Sequence, residues 1–268
     1  MRAVFVGLAC LGAACASAGE LRVTTGQTYL IDQPVLHLER LLLEDGATLR
    51  VQPGIEKVQI YAEQAWIGRD VHLLAAGGDG RPGQSGAAAT DASGCDDGAP
   101  GMDGEAGQAG SSGVSVELAL GLRSFGSMRL DTHGGAGGAG GNGGSGGAGG
   151  SADTCAGGSG GTGGSAGAGG VGGRGGDVLV RYWSLSADGY IPISNYGPGV
   201  QVLTSGGAGA PSGQAGEGGA GGTGQLVKRP TGIKVFRNPG IAGQPGAAAA
   251  YGEAGASGHF LIQPQAAP

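Results

Sequence analysis

Between residues 20 and 76 the apolar positions fall in short β-rich runs, at 41–43, 48–51, 58–62, 65–67 and 71–75, broken by turn residues in "EDGA", "QPG" and "GRD". The runs recur every seven to ten residues. That spacing predicts short strands wound as the rungs of a β-solenoid. From Gly77 onward the pattern changes from period two to period three. In "GAPGMDGEAGQAGSSG" glycine occupies 98, 101, 104, 107, 110 and 113. In "GIAGQPGAAAAYGEAGASG" it occupies 240, 243, 246, 252, 255 and 258, with Ala249 in the missing slot.

Three architectures use glycine heavily, and phase separates them. A flexible linker needs no phase. Collagen keeps a Gly-X-Y phase, but over long proline-rich tracts, whereas these runs are short and strand-like segments follow them. The remaining option is a bundle of polyglycine-II helices, which have three residues per turn and no internal hydrogen bonds. Every backbone N–H and C=O of such a helix points outward and, when buried, must pair with a neighbouring helix. An edge that faces a neighbour must then be glycine. A Gly-x-x run has one such edge and suits an outer position, whereas a Gly-Gly-x run has two and suits the middle. The runs at 134–150 and 157–176 are therefore the expected central pair, with those from 98 and from 240 outside.

The order of segments also repeats. "VHLLAA" leads into the run at 77, a loop holds Cys95, a run returns from 98, and "VSVELAL" follows. "SMRL" leads into 134, a loop holds Cys155, a run returns from 157, and "DVLVRYWSL" follows. A third copy goes from "VQVLTS" through 206, turns at "QLVKRPTGIKVFRNP", and returns from 240 to "GHFLIQP". The expected fold class is mostly β and irregular. A short β-solenoid cap at 19–76 precedes a bundle at 77–268 of about six polyglycine-II helices in three hairpins with interspersed strands.

The N-terminal rungs resemble those of right-handed β-helix proteins of the pectate-lyase-like class. Residues 77–258, by period and Gly-Gly-x content, resemble the glycine-rich springtail (snow-flea) antifreeze proteins and the glycine-rich tip adhesins of certain phage tail fibres. The resemblance implies the bundle architecture. It also points to two activities, adhesion and, as the alternative, ice binding.

The first residues, "MRAVFVGLACLGAACASAGE", carry one basic residue, an apolar run and Ala16-Ser17-Ala18, the pattern of a secretory signal peptide at 1–18 cut after Ala18. Lipidation at Cys15 is the other way to read this end. The expected location is extracellular or at the cell surface. Cleavage leaves Cys95 and Cys155, which in an oxidising compartment are expected to form one disulfide. The formal net charge of -6 and the lack of a basic run argue against nucleic acid, and against anionic lipid or membrane insertion. Self-association and a glycan or cell-surface ligand remain as partners, and no cofactor is expected.

Candidate chemistry is sparse. Asp91, Asp96, Asp97, Asp153 and Thr154 gather at the two cysteine-bearing tips, where carboxylates could hold a ligand or cation. Tyr182, Trp183, Tyr190 and Tyr196 concentrate the aromatic rings and could stack on sugars or simply pack. "GGRGGDVLV" at 172–180 fits a calcium-binding nonapeptide, with Asp177 as the candidate ligand. The next nine residues do not continue it, so a run entering a strand is expected and no metal. His37, His72, His133 and His259 are scattered. Asp32, Glu39, Glu44 and Asp45, the carboxylates a polysaccharide-cleaving enzyme would need, fall at expected turns. The expectation is a non-enzymatic structural or adhesive protein.

Overall fold

The structure is a computed structural model that describes residues 15–17, 19–185, 193 and 199–266. The strands are β1 Cys15–Ser17, β2 Glu20–Val23, β3 Thr28–Ile31, β4 Val35–Leu43, β5 Thr48–Val51, β6 Lys57–Ile67 and β7 Val71–Leu74. They continue as β8 Ser115–Phe125, β9 Met128–Asp131, β10 Val178–Ser184, β11 Val200–Leu203, β12 Gln225–Lys228, β13 Lys234–Arg237 and β14 Phe260–Pro264. A seven-stranded sheet runs in the order β1-β2-β4-β6-β8-β10-β14 and a five-stranded sheet in the order β11-β9-β7-β5-β3. Apart from β1, which pairs antiparallel with β2, every neighbouring pair in these two sheets is parallel.

Alternation of side chains builds the core. In β6, Val58, Ile60 and Ala62 point inward while Gln59, Tyr61 and Glu63 point outward. Parallel register then stacks like on like, as in Ile60–Leu118–Val180 and Ala62–Leu120–Tyr182 across β6, β8 and β10. Leu49, Leu73 and Leu130 form the facing ladder on β5, β7 and β9. One buried apolar cluster extends from Leu21 to Val200 between the two sheets.

The solenoid does not stop at residue 76. Strands β8, β9, β10, β11 and β14 stack on the same two sheets, so the change at 77 marks a change in how a rung turns. The first two rungs turn within "DQP" and "QPGIE", after β3 and β5. In the next three, the turn after β7, β9 and β11 is drawn out into a glycine-rich hairpin that returns to β8, β10 and β14. A hairpin inserted at a turn leaves the strand register untouched, which is why the sheets continue through it.

The six runs, numbered 1 to 6 in chain order, are 77–92, 98–113, 134–150, 157–176, 206–224 and 240–258. They contain neither α-helix nor strand. Their backbones pair between runs at every third residue, with N···O distances of 2.7–3.0 Å. Gly137, Gly140 and Gly143 of run 3 donate to Ala208, Pro211 and Gln214 of run 5. Gly138, Gly141 and Gly144 donate to Gln108, Glu105 and Met102 of run 2. Runs 1, 3 and 5 form one layer of parallel runs and runs 2, 4 and 6 a second layer of opposite direction. Run 3 bonds to runs 1, 2, 4 and 5, and run 4 to runs 2, 3, 5 and 6, so these two are the centre of the bundle. Glycine is required there by close approach. A methyl group built on Gly141 would overlap the carbonyl oxygen of Gln84, and one on Gly167 that of Glu105.

The third residue of the central triplets reaches the bundle surface, partly at Ala136, Ala148, Ser159, Ser165 and Ala168 and fully elsewhere. Ala139, Asn142, Ser145, Thr162, Val171 and Arg174 are exposed, because a two-layer bundle leaves each run one edge in solvent. The three hairpin tips lie at the end away from the strands. The third tip is a small antiparallel ladder of β12 and β13.

Candidate functional site

The first two tips are joined by the Cys95–Cys155 disulfide, with Cα atoms 6.0 Å apart and 60 residues between them. Two of the four tip carboxylates are engaged by neighbouring backbone. Asp91 accepts a hydrogen bond from the Ala148 N–H at 2.8 Å and Asp97 accepts one from Ser159 at 2.6 Å. These belong to a wider series: Asp79 accepts from Ala136, Asp103 from Ser165, and the Asn142 side chain from Gln214. In each case a side chain of one run satisfies an N–H on the solvent edge of the next. This is the same task the glycine edges perform with backbone alone. Asp96 and Asp153 are exposed at the tips, and Thr154 lies beside Cys155. Among the described residues no group of three His, Cys, Asp or Glu side chains is arranged to hold a metal ion.

Asp177 performs the same bracing. Its carboxylate accepts the His259 N–H at 2.8 Å and pairs with Arg174 at 2.9 Å. The backbone bond from His259 leads in holding it below its ordinary value, with Arg174 adding to the effect. Glu44 is bound by Arg22 at 2.6 Å and Asp45 by Arg69 at 2.7 Å, both at the turns between rungs. Glu39 departs from the expected turn position. It lies within β4, on the outer side of the seven-stranded sheet.

The aromatic residues divide. Tyr182 is buried in the solenoid core and packs. Trp183 points the other way, onto the outer face, and Tyr190 and Tyr196 lie outside the described residues. Trp183 lines a cleft of about 290 Å³ together with His37, Glu39, Tyr61 and Glu63, contributed by β4, β6 and β10. The His37 and Tyr61 rings stack with centroids 4.8 Å apart and planes 9° from parallel, as their direct register pairing requires. Gly121 on β8 faces Trp183 in register, and a Cβ there would come within 2.8 Å of the indole nitrogen. The first obstacle to a side chain there is the Glu63 backbone carbonyl, with the ring behind it, so glycine in this aliphatic strand lets both the β6 backbone and the indole come close. A register shift in β6 between Ala62 and Ala65 lies beside the cleft and re-aims this stretch of the face.

Next to the cleft is a fixed polar cluster. Glu117 binds Lys57 at 3.0 Å, Arg181 at 2.8 Å and the Gln59 amide at 2.8 Å. The Gln59 hydrogen bond, then that from Lys57, with the two cationic charges behind them, holds this carboxyl below its ordinary range. Gln59 also donates to the Tyr61 hydroxyl at 3.1 Å, tying the cluster to the aromatic stack.

Of the residues named from sequence, Trp183, His37 and Glu39 enter this cleft, though nothing in the sequence groups them. His37, Glu39, Tyr61 and Glu63 come from rungs more than a hundred residues earlier, and only stacking brings them to Trp183. The one local signal was Gly121, an unexplained break in "VSVELALGLRSF".

No family model matches the chain, and no curated protein matches it. Among solved structures, a springtail antifreeze protein from Granisotoma rainieri aligns at 25% identity over 63% of this chain and 93% of its own, with a TM-score of 0.10. It is described as a nine polyproline type II helical bundle whose crystal waters match the ice lattice. At that score the likeness carries no argument about function.

Proposed function

We propose that this chain is an exported, non-enzymatic structural and adhesive protein in which six runs of polyglycine-II geometry form a stiff scaffold and the solenoid face recognises a glycan. The observation that carries the reading is the cleft of His37, Tyr61 and Trp183, edged by Glu39 and Glu63. Flat rings offer a platform for the apolar face of a sugar, and carboxylates beside them accept its hydroxyl hydrogens. The tip aspartates support this placement indirectly, since Asp91 and Asp97 are occupied in bracing the bundle. Binding of the oxidised protein to a panel of insoluble and soluble polysaccharides tests the reading. Trp183→Ala is expected to weaken binding about tenfold, the scale of one lost ring contact. Retention of no polysaccharide, or equal retention of the variant, would contradict it.

A second reading, cleavage of a bound polysaccharide, is favoured by one observation: Glu39 and Glu63 stand on neighbouring strands along the same cleft. It requires release of reducing or unsaturated ends, lost in Glu63→Gln while binding persists; the scaffold reading expects no release. Ice binding would need a flat face of small residues. Glu217 interrupts the face formed by runs 1, 3 and 5, and Arg174 and Glu253 interrupt the opposite one. Negligible thermal hysteresis is therefore the expected result.

A further inference from the structure

The third tip differs in kind from the first two. Between 225 and 237, "QLVKRPTGIKVFR" holds four cations, Lys228, Arg229, Lys234 and Arg237, and no carboxylate, in a chain whose formal charge is -6. Elsewhere Arg22, Arg40, Lys57, Arg69, Arg174 and Arg181 each pair with a carboxylate, and Arg50, Arg81, Arg123 and Arg129 are spread singly along the chain. Among the described residues none of the four hairpin cations forms an ion pair; Lys228 and Lys234 share the face of Leu226 and Phe236, whereas Arg237 lies on the other face at the base of the ladder, with its Nε buried. The same hairpin carries exposed apolar side chains. Leu226 and Phe236 are direct cross-strand partners, so they share one face, and they are 58% and 60% exposed; Ile233, at the turn, is 62% exposed. A chain short of large apolar residues has thus placed three of them beside Lys228, Arg229 and Lys234 on one hairpin at the end of the bundle away from the strands.

We propose that the β12–β13 hairpin is a docking tip for an anionic lipid bilayer, on which Leu226, Ile233 and Phe236 seat at the headgroup boundary while Lys228, Arg229 and Lys234 meet the lipid charges. Cations alone would fit an acidic polysaccharide equally well. The aliphatic Leu226 and Ile233 decide between them, because a sugar chain gives them nothing to bury against, whereas an interface takes up both kinds of group. Among the described residues no helix is long and apolar enough to cross a membrane, so the contact is peripheral. It is also one-ended. The acidic tip of runs 1 and 2 lies at the opposite side of the bundle from the tip of runs 5 and 6, with runs 3 and 4 between. The loop with Asp96 and Asp97 is thus two runs away, whereas the tip of runs 3 and 4 lies beside the hairpin, where the Gln225 side chain donates to the Ala152 carbonyl.

The test uses the oxidised full-length mature protein and two kinds of vesicle, phosphatidylcholine alone and phosphatidylcholine with phosphatidylglycerol, in co-sedimentation at low and high salt. The protein is expected to pellet with the anionic vesicles, with salt-sensitive binding. Lys228→Gln with Lys234→Gln is expected to weaken it by about tenfold or more. Leu226→Ser with Phe236→Ser is expected to weaken it similarly but with the salt dependence retained. An unchanged response of tip-bridge peptides in amide exchange confirms that both variants keep the bundle. Three results would overturn the proposal. The first is no binding to anionic vesicles. The second is binding that the Leu226 and Phe236 substitutions leave intact, which would assign the cations to an acidic polysaccharide or other polyanion. The third is a salt-sensitive dimer that blocks vesicle binding, which would assign the hairpin to a second copy of this chain. The cleft variant Trp183→Ala should bind vesicles normally, so failure here is separable from failure of the glycan reading.

Discussion

At the scale of single residues, the account rests on what each position of a triplet faces. Gly141 and Gly144 face carbonyl oxygens of run 1, and a methyl group there must push two backbones apart. Gly144→Ala is expected to destabilise by roughly 1–3 kcal/mol, as an overpacked interior does. Ala139→Ser, on the exposed edge of the same run, is expected to stay within about 0.5 kcal/mol of wild type. Thermal melts of the two variants check the contrast. Glu117 and Asp177 make a second prediction. Both carboxyls are held below their ordinary values of 4.5 and 3.8, Glu117 chiefly by Gln59 and Asp177 chiefly by the His259 N–H. Their contribution is therefore complete above those values and is lost as pH falls through the lower folded ones. The melting temperature is expected to hold from neutral pH to about 5 and then fall, less steeply in Glu117→Gln. The glycine edges were legible in the sequence because period three has a single steric meaning. The roles of Asp91, Asp97 and Asp177 were not. A carboxylate at a loop reads the same whether it awaits a ligand or caps an N–H 57 or 62 residues away.

At the scale of elements, hairpins and strands were readable from local pattern, and so was the bridge between tips. The Cys95–Cys155 bond closes a loop of 60 residues and joins two hairpins made mostly of the residue that loses most freedom on ordering. Replacing both cysteines with serine is expected to lower unfolding free energy by about 4 kcal/mol in the chain-entropy view, measured by denaturant melts. A loss under about 1 kcal/mol would mean that the hydrogen-bond ladders alone fix the tips. The third tip is harder to see, because "QLVKRPTGIKVFR" reads from sequence as a turn between two glycine runs. Its alternation of Leu226 and Lys228 against Phe236 and Lys234 is a strand pattern only two residues deep on each side. The cleft escaped for a different reason. His37, Tyr61 and Trp183 are isolated in sequence, and only the parallel register of β4, β6, β8 and β10 makes them neighbours.

At the scale of the whole molecule, solenoid and bundle are a single stack of rungs. Each added rung extends both sheets by one strand and, from the third rung on, extends both layers of the bundle by one run. Averages over the chain hide this organisation, as the net charge of -6 hides a hairpin of four cations and no carboxylate. The stack also explains why glycine can be so abundant in an ordered protein: backbone pairing between runs replaces the side-chain core that residues 77–258 lack. Amide hydrogen exchange of the oxidised protein, read on peptides from 134 to 176, reports on that pairing. Runs 3 and 4 donate to neighbouring runs from two of every three residues, so these peptides are expected to exchange far more slowly than an unfolded chain, with the exposed-edge amides of Ala139 and Ser145 the fastest among them. Exchange of the whole segment at the unfolded rate would contradict the account and reduce the glycine runs to linkers.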